Sequence, residues 1–242
     1  MPFDLKKLFQ PESIAIIGAS QDELKSGGMF VSGLLKDGYQ GTVYPINRKE
    51  TQIMSLKSYP NVLDVPGEID LAVIAIPAPG VPQVISECAQ KGVKFAVVHS
   101  VGFSELGAEG RELENRMVEA ARRGGVRIVG PNCMGIFSAK GHINTIVPHA
   151  RVTMEPGNVA FVGQSGWVSE NMTRVGSERG LRYSGIVSIG NQSDLTVEDF
   201  LEYFGNDPET KVFAAYIEGI KQPRRFLKLV EEISPRKPII VW

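Results

Sequence analysis

Short apolar runs recur along the chain, each closed by Gly, Pro or Asn and followed by a stretch whose apolar residues return every three or four positions. The runs are Ser13–Ile17, Thr42–Tyr44, Leu71–Ile76, Phe95–His99 and Val126–Val129, and amphipathic stretches lie near Met29–Lys36, Val81–Lys91 and Ala108–Arg123. Continuous apolar strands alternating with helices predict an α/β fold with a parallel sheet covered on both faces. Residues 1–140 therefore read as a Rossmann-like domain. The alternation then restarts, with strands expected at Val159–Val162, Ile186–Ile189, Val212–Ile217 and Ile239–Val241. Helices are expected between them at Trp167–Arg179, Thr196–Phe204 and Pro223–Ile233. This predicts a second doubly wound parallel unit over residues 158–242, reached through a connector at 141–157 that carries Pro148 and Pro156. No helix follows the last strand, so the second unit reads as incomplete at Trp242.

Composition narrows the function classes. Lys and Arg number 26 against 27 Asp and Glu, a formal net charge of −1. Nucleic-acid and membrane-surface partners usually call for a basic excess, so neither is expected. At 242 residues the chain is long enough to bury a core without covalent staples. Cys88 and Cys133 belong to no CxxC pair and sit near no histidine cluster, which argues against structural zinc. No apolar run approaches the roughly 18 residues of a membrane span, and Met1–Lys7 does not resemble a secretion signal. The expected location is the cytoplasm.

The candidate chemistry lies at strand ends. Ile17-Gly18-Ala19-Ser20 closes the first strand, and Lys25-Ser26-Gly27-Gly28 follows. A glycine there lets backbone N–H groups approach a phosphate at a helix start. The full GxGxxG fingerprint of NAD sites is missing. Where an acidic residue would hold the ribose of NAD, the second strand ends in Asn47-Arg48-Lys49. Two cations there suit a phosphorylated ribose, which NADP and coenzyme A both carry; ordinary surface basic residues would give the same string. Ile76-Pro77-Ala78-Pro79, Ser100-Val101-Gly102 and Gly130-Pro131-Asn132-Cys133 close the next strands. These small and cyclic residues shape a narrow crevice suited to an extended pantetheine arm. In the second unit, Gln164-Ser165-Gly166 opens a helix whose free N–H groups and dipole form an anion cradle.

Assembled in order, Leu8–Ser20, Tyr44-Pro45-Ile46-Asn47, Gly130–Gly135, Gln164-Ser165-Gly166 and Ser188-Ile189-Gly190-Asn191 make the chain resemble the α portion of ADP-forming acyl-CoA synthetases, relatives of the succinyl-CoA synthetase α subunit. The resemblance implies a Rossmann-like CoA-binding domain followed by a flavodoxin-like ligase domain. It implies a reaction of a small carboxylic acid, CoA and ATP that passes through an acyl phosphate and a phosphohistidine. By position, Gly18, Ala19, Ser20 and Lys25 would hold CoA phosphates, and Asn47 and Lys49 would lie by its nucleotide end. Pro77, Ser100 and Gly102 would line the crevice, with Asn132 and Cys133 toward the thiol. Gln164, Ser165 and Gly166 would receive the phosphate, and Glu218 matches a family glutamate that orients the histidine. ATP or ADP and Mg²⁺ would enter only through an ATP-grasp domain or a β subunit.

Some features depart from that pattern. The family's histidine would follow Trp242, and none of His99, His142 or His149 occupies its place, so the isolated chain is expected to be inactive. Trp167 and Gly163 replace residues common in the family beside the phosphate helix. Apolar residues around Ile239–Trp242 raise an interface or oligomer contact there. Two other functions fit parts of the sequence. One is a CoA- or acyl-CoA-sensing module without ligase chemistry. The other is an NADP-dependent oxidoreductase domain, weakened by the missing fingerprint and the lack of a hydride-transfer site.

Overall fold

The structure is a computed structural model and describes residues 4–148 and 152–242. The first sheet contains β1 (Ser13–Ile17), β2 (Thr42–Ile46), β5 (Leu71–Ile74), β6 (Phe95–Val98) and β7 (Arg127–Val129), all parallel, in the order β2-β1-β5-β6-β7. A small antiparallel hairpin, β3 (Gln52–Ile53) and β4 (Leu56–Lys57), follows β2. Every residue of β1, β5 and β6 is buried, as a central parallel strand covered on both faces requires. The covering helices are α2 (Ser26–Lys36), α3 (Val81–Lys91) and α4 (Ala108–Gly124). Gly92 and Gly125 end α3 and α4 in the left-handed conformation, and Pro82 lies in the first turn of α3. β5 stops two residues short of expectation. Ala75 still donates to Ile17 O at 2.9 Å, but Pro77 has no N–H to extend the ladder.

The second sheet differs from a purely parallel one. Its parallel part is β10 (Val159–Gly163), β11 (Tyr183–Ser188), β12 (Val212–Tyr216) and β13 (Ile239–Val241). Two further strands, β8 (Gly135–Ser138) and β9 (Ile143–Asn144), add to it antiparallel, giving the order β13-β12-β10-β11-β8-β9. β8 thus falls within the first domain by chain position and within the second sheet by hydrogen bonding. β11 begins earlier than its apolar pattern indicates, through Ser184 and Gly185. A Cβ on Gly185 would stand 2.8 Å from the Phe204 ring, so the glycine makes room for that ring.

Helices α5 (Gly166–Glu178), α6 (Val197–Asn206) and α7 (Pro223–Ile233) pack on the second sheet. Thr196 and Asp199 close α6 with a reciprocal capping box, while Arg225 of α7 pairs with Asp199 and Glu202. One continuous core joins the two sheets, running from Ile14 and Val97 through Ile136 to Val187 and Phe213. A short helix, α1 (Lys6–Phe9), contributes Phe9 to this core. Its ring lies 5.2 Å from those of both Tyr203 and Phe204 on α6. Helix α1 is thereby fastened to the second domain, and burying a ring of that size contributes on the order of 2–3 kcal/mol.

Candidate functional site

The parallel part of each sheet reverses its strand order once, and each reversal carries one of the candidate loops. In open parallel sheets the crevice for a ligand opens at that reversal, beyond the carboxyl ends of the strands. The first lies between β1 and β5. Gly18 takes φ +90°, and a Cβ there would stand 2.4 Å from Ala75 O, so only glycine fits between the two strands. Gly18 and Ala19 donate their N–H groups to Ile46 O, which sets the turn against β2. Asn47 completes the arrangement. Its Nδ2 donates to Ala19 O at 2.8 Å, and its Oδ1 accepts from the Lys49 and Glu50 amides. A cleft of about 480 Å³ opens here, lined by Gly18, Asn47, Arg48, Lys49, Ile76 and Pro77, among others. That size is within the usual range for small-molecule sites.

Ala19 and Ser20 continue the turn as buried residues, and Ser20 Oγ accepts from the Asp22 amide. Lys25 is the N-cap residue of α2, no side chain caps that helix, and the ammonium is exposed, 4.0 Å from Asp22. The start of α2 thus presents its dipole and a cation beside the glycine turn. Gly27 packs so closely on the turn that a Cβ would stand 2.0 Å from Gly18 O.

The remaining strand-end residues of the first domain gather at the junction with the second. Ser100 is buried and donates to Ile76 O at 2.5 Å. Gly102 and Phe103 donate their amides to Glu105 Oε1. Asn132 has φ +56°, its amide donates to Ser100 O, and its Nδ2 donates to Asn191 Oδ1 at 3.3 Å. Asn191 Nδ2 in turn lies 2.7 Å from Glu105 Oε2, 2.9 Å from Glu114 Oε2 and 3.2 Å from Ser104 Oγ. Burial pushes both carboxyls up, but the hydrogen bonds from Asn191 and from neighbouring amide and hydroxyl donors outweigh it and leave both below their ordinary value. Cys133 faces inward. Its thiol lies 3.4 Å from Val98 O, and burial pushes its pKa up to about 12, so it is not a thiolate nucleophile.

The second reversal lies between β10 and β12. Ser165 caps α5, its Oγ accepting from the Val168 amide, and no acidic residue occupies the first turn. Gly166 packs on Met134, and Gly163 leaves the space that Ser169 Oγ fills to donate to Ser165 O. Gln164 spans the reversal: its Oε1 accepts from the amides of Glu218 and Gly219 at 2.7 and 2.9 Å. Gln192 Nε2 donates to Gly219 O, and Glu198 Oε1 accepts from the Gln222 amide. The backbone around Glu218 is therefore fixed at several points while its side chain is exposed. Trp167 is 73% exposed.

The structure thus brings Gly18, Asn47, Lys49 and Pro77 around one cleft and places Ser100, Gly102 and Asn132 at the domain junction. Gln164, Ser165, Gly166 and Glu218 meet at the second reversal. His99 Nδ1 lies 2.9 Å from Cys133 O, its ring meets Phe30 edge-on, and burial lowers its pKa. His142 Nδ1 lies 3.1 Å from Asp37 O. His149 lies outside the described residues. Among the described residues no group of three or more His, Cys, Asp or Glu is placed to hold a metal ion, and no helix is long and apolar enough to cross a membrane. Sequence reasoning missed Asn61, Val84 and Glu87 on the far wall of the first cleft. The last two lie on α3, whose amphipathic pattern predicts the helix without marking which of its residues face the cleft.

Two family models match the chain, a CoA binding domain over residues 12–139 and a succinyl-CoA ligase like flavodoxin domain over residues 156–242. The chain belongs to the CoA-binding family, in the two-domain form of the α portion of ADP-forming acetyl-CoA synthetases. It is 45% identical over 238 residues to an ADP-forming acetate–CoA ligase of Methanocaldococcus jannaschii, covering 98% of this chain and 33% of the relative. It is 41% identical to the α subunit of ADP-forming acetate–CoA ligase I of Pyrococcus furiosus, covering 98% and 52%. Among solved structures, the dinucleotide forming acetyl-coenzyme A synthetase 1 of Ca. Korarchaeum cryptofilum, in complex with phosphate and ADP, superposes with a TM-score of 0.91. That match has 41% identity and covers 98% of this chain and 51% of the other. The chain therefore spans between a third and about half the length of these relatives.

Proposed function

We propose that this chain is the CoA-binding part of an ADP-forming acyl-CoA synthetase, a protein that converts a small carboxylic acid, CoA and ATP to acyl-CoA, ADP and phosphate. The observation that carries the reading is the pair of sheet reversals. One offers a glycine turn, a helix N-terminus and the Arg48–Lys49 cations to a phosphorylated nucleotide. The other offers the capped start of α5 to a phosphate, with the Glu218 carboxylate nearby to orient an imidazole. In this reading Gly18, Ala19, Ser20 and Lys25 hold the CoA diphosphate, and Asn47 and Lys49 hold its nucleotide end. Pro77, Ser100 and Gly102 line the path of the pantetheine toward Asn132 and Cys133.

In the direction of thioester cleavage, phosphate held at the α5 terminus attacks the thioester carbonyl. The CoA thiolate leaves and an acyl phosphate forms. A histidine nitrogen, its imidazole oriented by Glu218, then attacks the phosphorus; the acyl-oxygen–phosphorus bond breaks, the carboxylate leaves, and the phosphoryl group passes from the histidine to ADP. The amides of α5 stabilise the charge on phosphate in place. His99 is half-buried and engaged with Cys133 O, and His142 lies on the β8–β9 hairpin; neither is given the carrier role. The carrier, the ATP-grasp domain and its Mg²⁺ are assigned to the remainder of the protein or to a partner subunit.

The test uses the full-length protein that contains this chain, with acid, CoA and Mg·ATP. The reading predicts one ADP and one phosphate released per thioester formed. It also predicts that Glu218→Gln slows ADP formation on the order of a hundredfold while CoA affinity is unchanged. Release of AMP and pyrophosphate, or full activity in Glu218→Gln, would contradict it.

A further inference from the structure

The loop that carries Asn191 is fastened to the first domain along its whole length. Asn191 N donates to Pro131 O, Ser193 N to Gly130 O and Leu195 N to Ile128 O, all at 3.0–3.1 Å. Asp194 accepts from both Arg127 Nε and the Ile128 amide at 2.8 Å. Gly190 enables the close approach: a Cβ there would stand 2.2 Å from Pro131 O. This seam makes a fixed base, from which the Asn191 side chain reaches sideways to the loop after β6.

That loop is the more weakly held of the pair. Gly102 has φ +110°, Val101 and Glu105 are exposed, and the Gly102 and Phe103 amides are held only by Glu105 Oε1 among the described residues. Glu105 then passes the constraint on through Oε2 to Asn191, and Glu114 does the same for Ser104, whose amide and hydroxyl it accepts. The amide is chemically specific here. Its Nδ2 supplies two hydrogens without charge to two carboxylates, while Oδ1 faces the Asn132 donor. A flipped amide would turn an oxygen toward both carboxylates, and a carboxylate in its place would bring three negative groups to one point.

We propose that Asn191 is a positioning residue that locks the Gly102–Ser104 loop to the second domain, so that the wall of the CoA crevice is set by the element that also carries the loop after β11. This rests on the reading that Gly102 lines that crevice. It follows that CoA affinity depends on a side chain from the second domain that lies outside the 480 Å³ cleft.

The test is a mutant cycle of Asn191→Asp, Glu105→Gln and the double variant on the full chain. Amide hydrogen exchange at Gly102 and Phe103 reads the lock without ligand, and calorimetry reads CoA affinity. In Asn191→Asp, repulsion from Glu105 and Glu114 should speed exchange at both amides and weaken CoA about tenfold. In the double variant, the carboxamide introduced at position 105 keeps an oxygen for the two backbone amides and turns its NH₂ to the carboxylate introduced at position 191. The Glu105 half of the cluster is remade with its polarity inverted while the repulsion from Glu114 persists, so part of both losses should be recovered. Unchanged exchange and affinity in Asn191→Asp, or a double variant worse than Asn191→Asp alone, would overturn the proposal; a purely structural role would give additive losses in melting temperature without this rescue. Failure of the unmutated chain to bind CoA would overturn the crevice reading, and the exchange cycle alone would then uphold or overturn the lock.

Discussion

Gly18 and Gly92 share nearly the same backbone torsion, φ +90° and +84°, in very different surroundings. A Cβ at Gly92 meets nothing within 4 Å, whereas at Gly18 it would stand 2.4 Å from Ala75 O and 2.9 Å from Ile76 Cγ2. Alanine at either position takes on the left-handed torsional cost, about 1–2 kcal/mol. At Gly18 it must also displace a backbone carbonyl, and that backbone is pinned because the Ala75 amide donates to Ile17 O at 2.9 Å. Overpacking of this kind costs roughly 1–3 kcal/mol more. At about 2–4 °C per kcal/mol for a chain of this size, Gly92→Ala should lower the melting temperature by roughly 2–8 °C and Gly18→Ala by roughly 4–20 °C. Measured side by side by calorimetry, Gly18→Ala should melt clearly below Gly92→Ala and should also lose CoA binding, because Gly18 and Ile76, which the added Cβ would push apart, both line the cleft. Equal melting temperatures, with CoA affinity intact in Gly18→Ala, would refute the claim that close packing at the β1/β5 reversal shapes the site.

Gln164→Ala should release the Glu218 and Gly219 amides and speed their hydrogen exchange by about tenfold, the worth of one hydrogen bond to each, with little change elsewhere. Both cysteines are buried, and burial pushes each thiol up to about 12. A thiol reagent at neutral pH should therefore react with neither in the folded chain and with both after denaturation. Burial raises the Asp37 carboxyl to about 6, against the opposing effects of His142 and Asn144. Because the folded state then holds the proton more tightly than the unfolded one, stability from this group falls as pH rises from about 4 through 6. Asp37→Asn should accordingly raise the melting temperature at pH 7.5 and leave it unchanged near pH 4.

Much of this architecture was legible because its helices and strands have strong periods and clear stops. α3, α7 and β13 fall on the residues that the apolar pattern and their Gly and Pro boundaries predict. The antiparallel strands β8 and β9 were not legible. Gly135-Ile136-Phe137-Ser138 neither alternates nor leads into a helix, and its partner in β11 lies about 50 residues downstream. The candidate site divides in the same way. Strand-end position was enough to bring Gly18, Asn47, Lys49 and Pro77 together, because a parallel sheet aligns all its carboxyl ends. It could not show which way a side chain turns. Cys133 faces the core rather than open solvent, and Gln164 commits its oxygen to the Glu218 loop. The Asn191 network was invisible for a different reason: its members are separated by 77 and 86 positions and meet only when the two domains pack.

In the proposed function, the cleft beside β1 and β2 holds coenzyme A with its 3′-phosphate at Lys49. Calorimetric titration of the chain with CoA and with dephospho-CoA tests it most directly, with Lys49→Ala alongside. One charge-assisted hydrogen bond is worth about 1.5–3 kcal/mol, so dephospho-CoA should bind about ten- to a hundredfold more weakly than CoA. Lys49→Ala should abolish that preference by weakening CoA alone. Equal affinity of the unmutated chain for the two ligands would contradict the account, and tighter binding of NADPH than of CoA would replace it with the oxidoreductase reading.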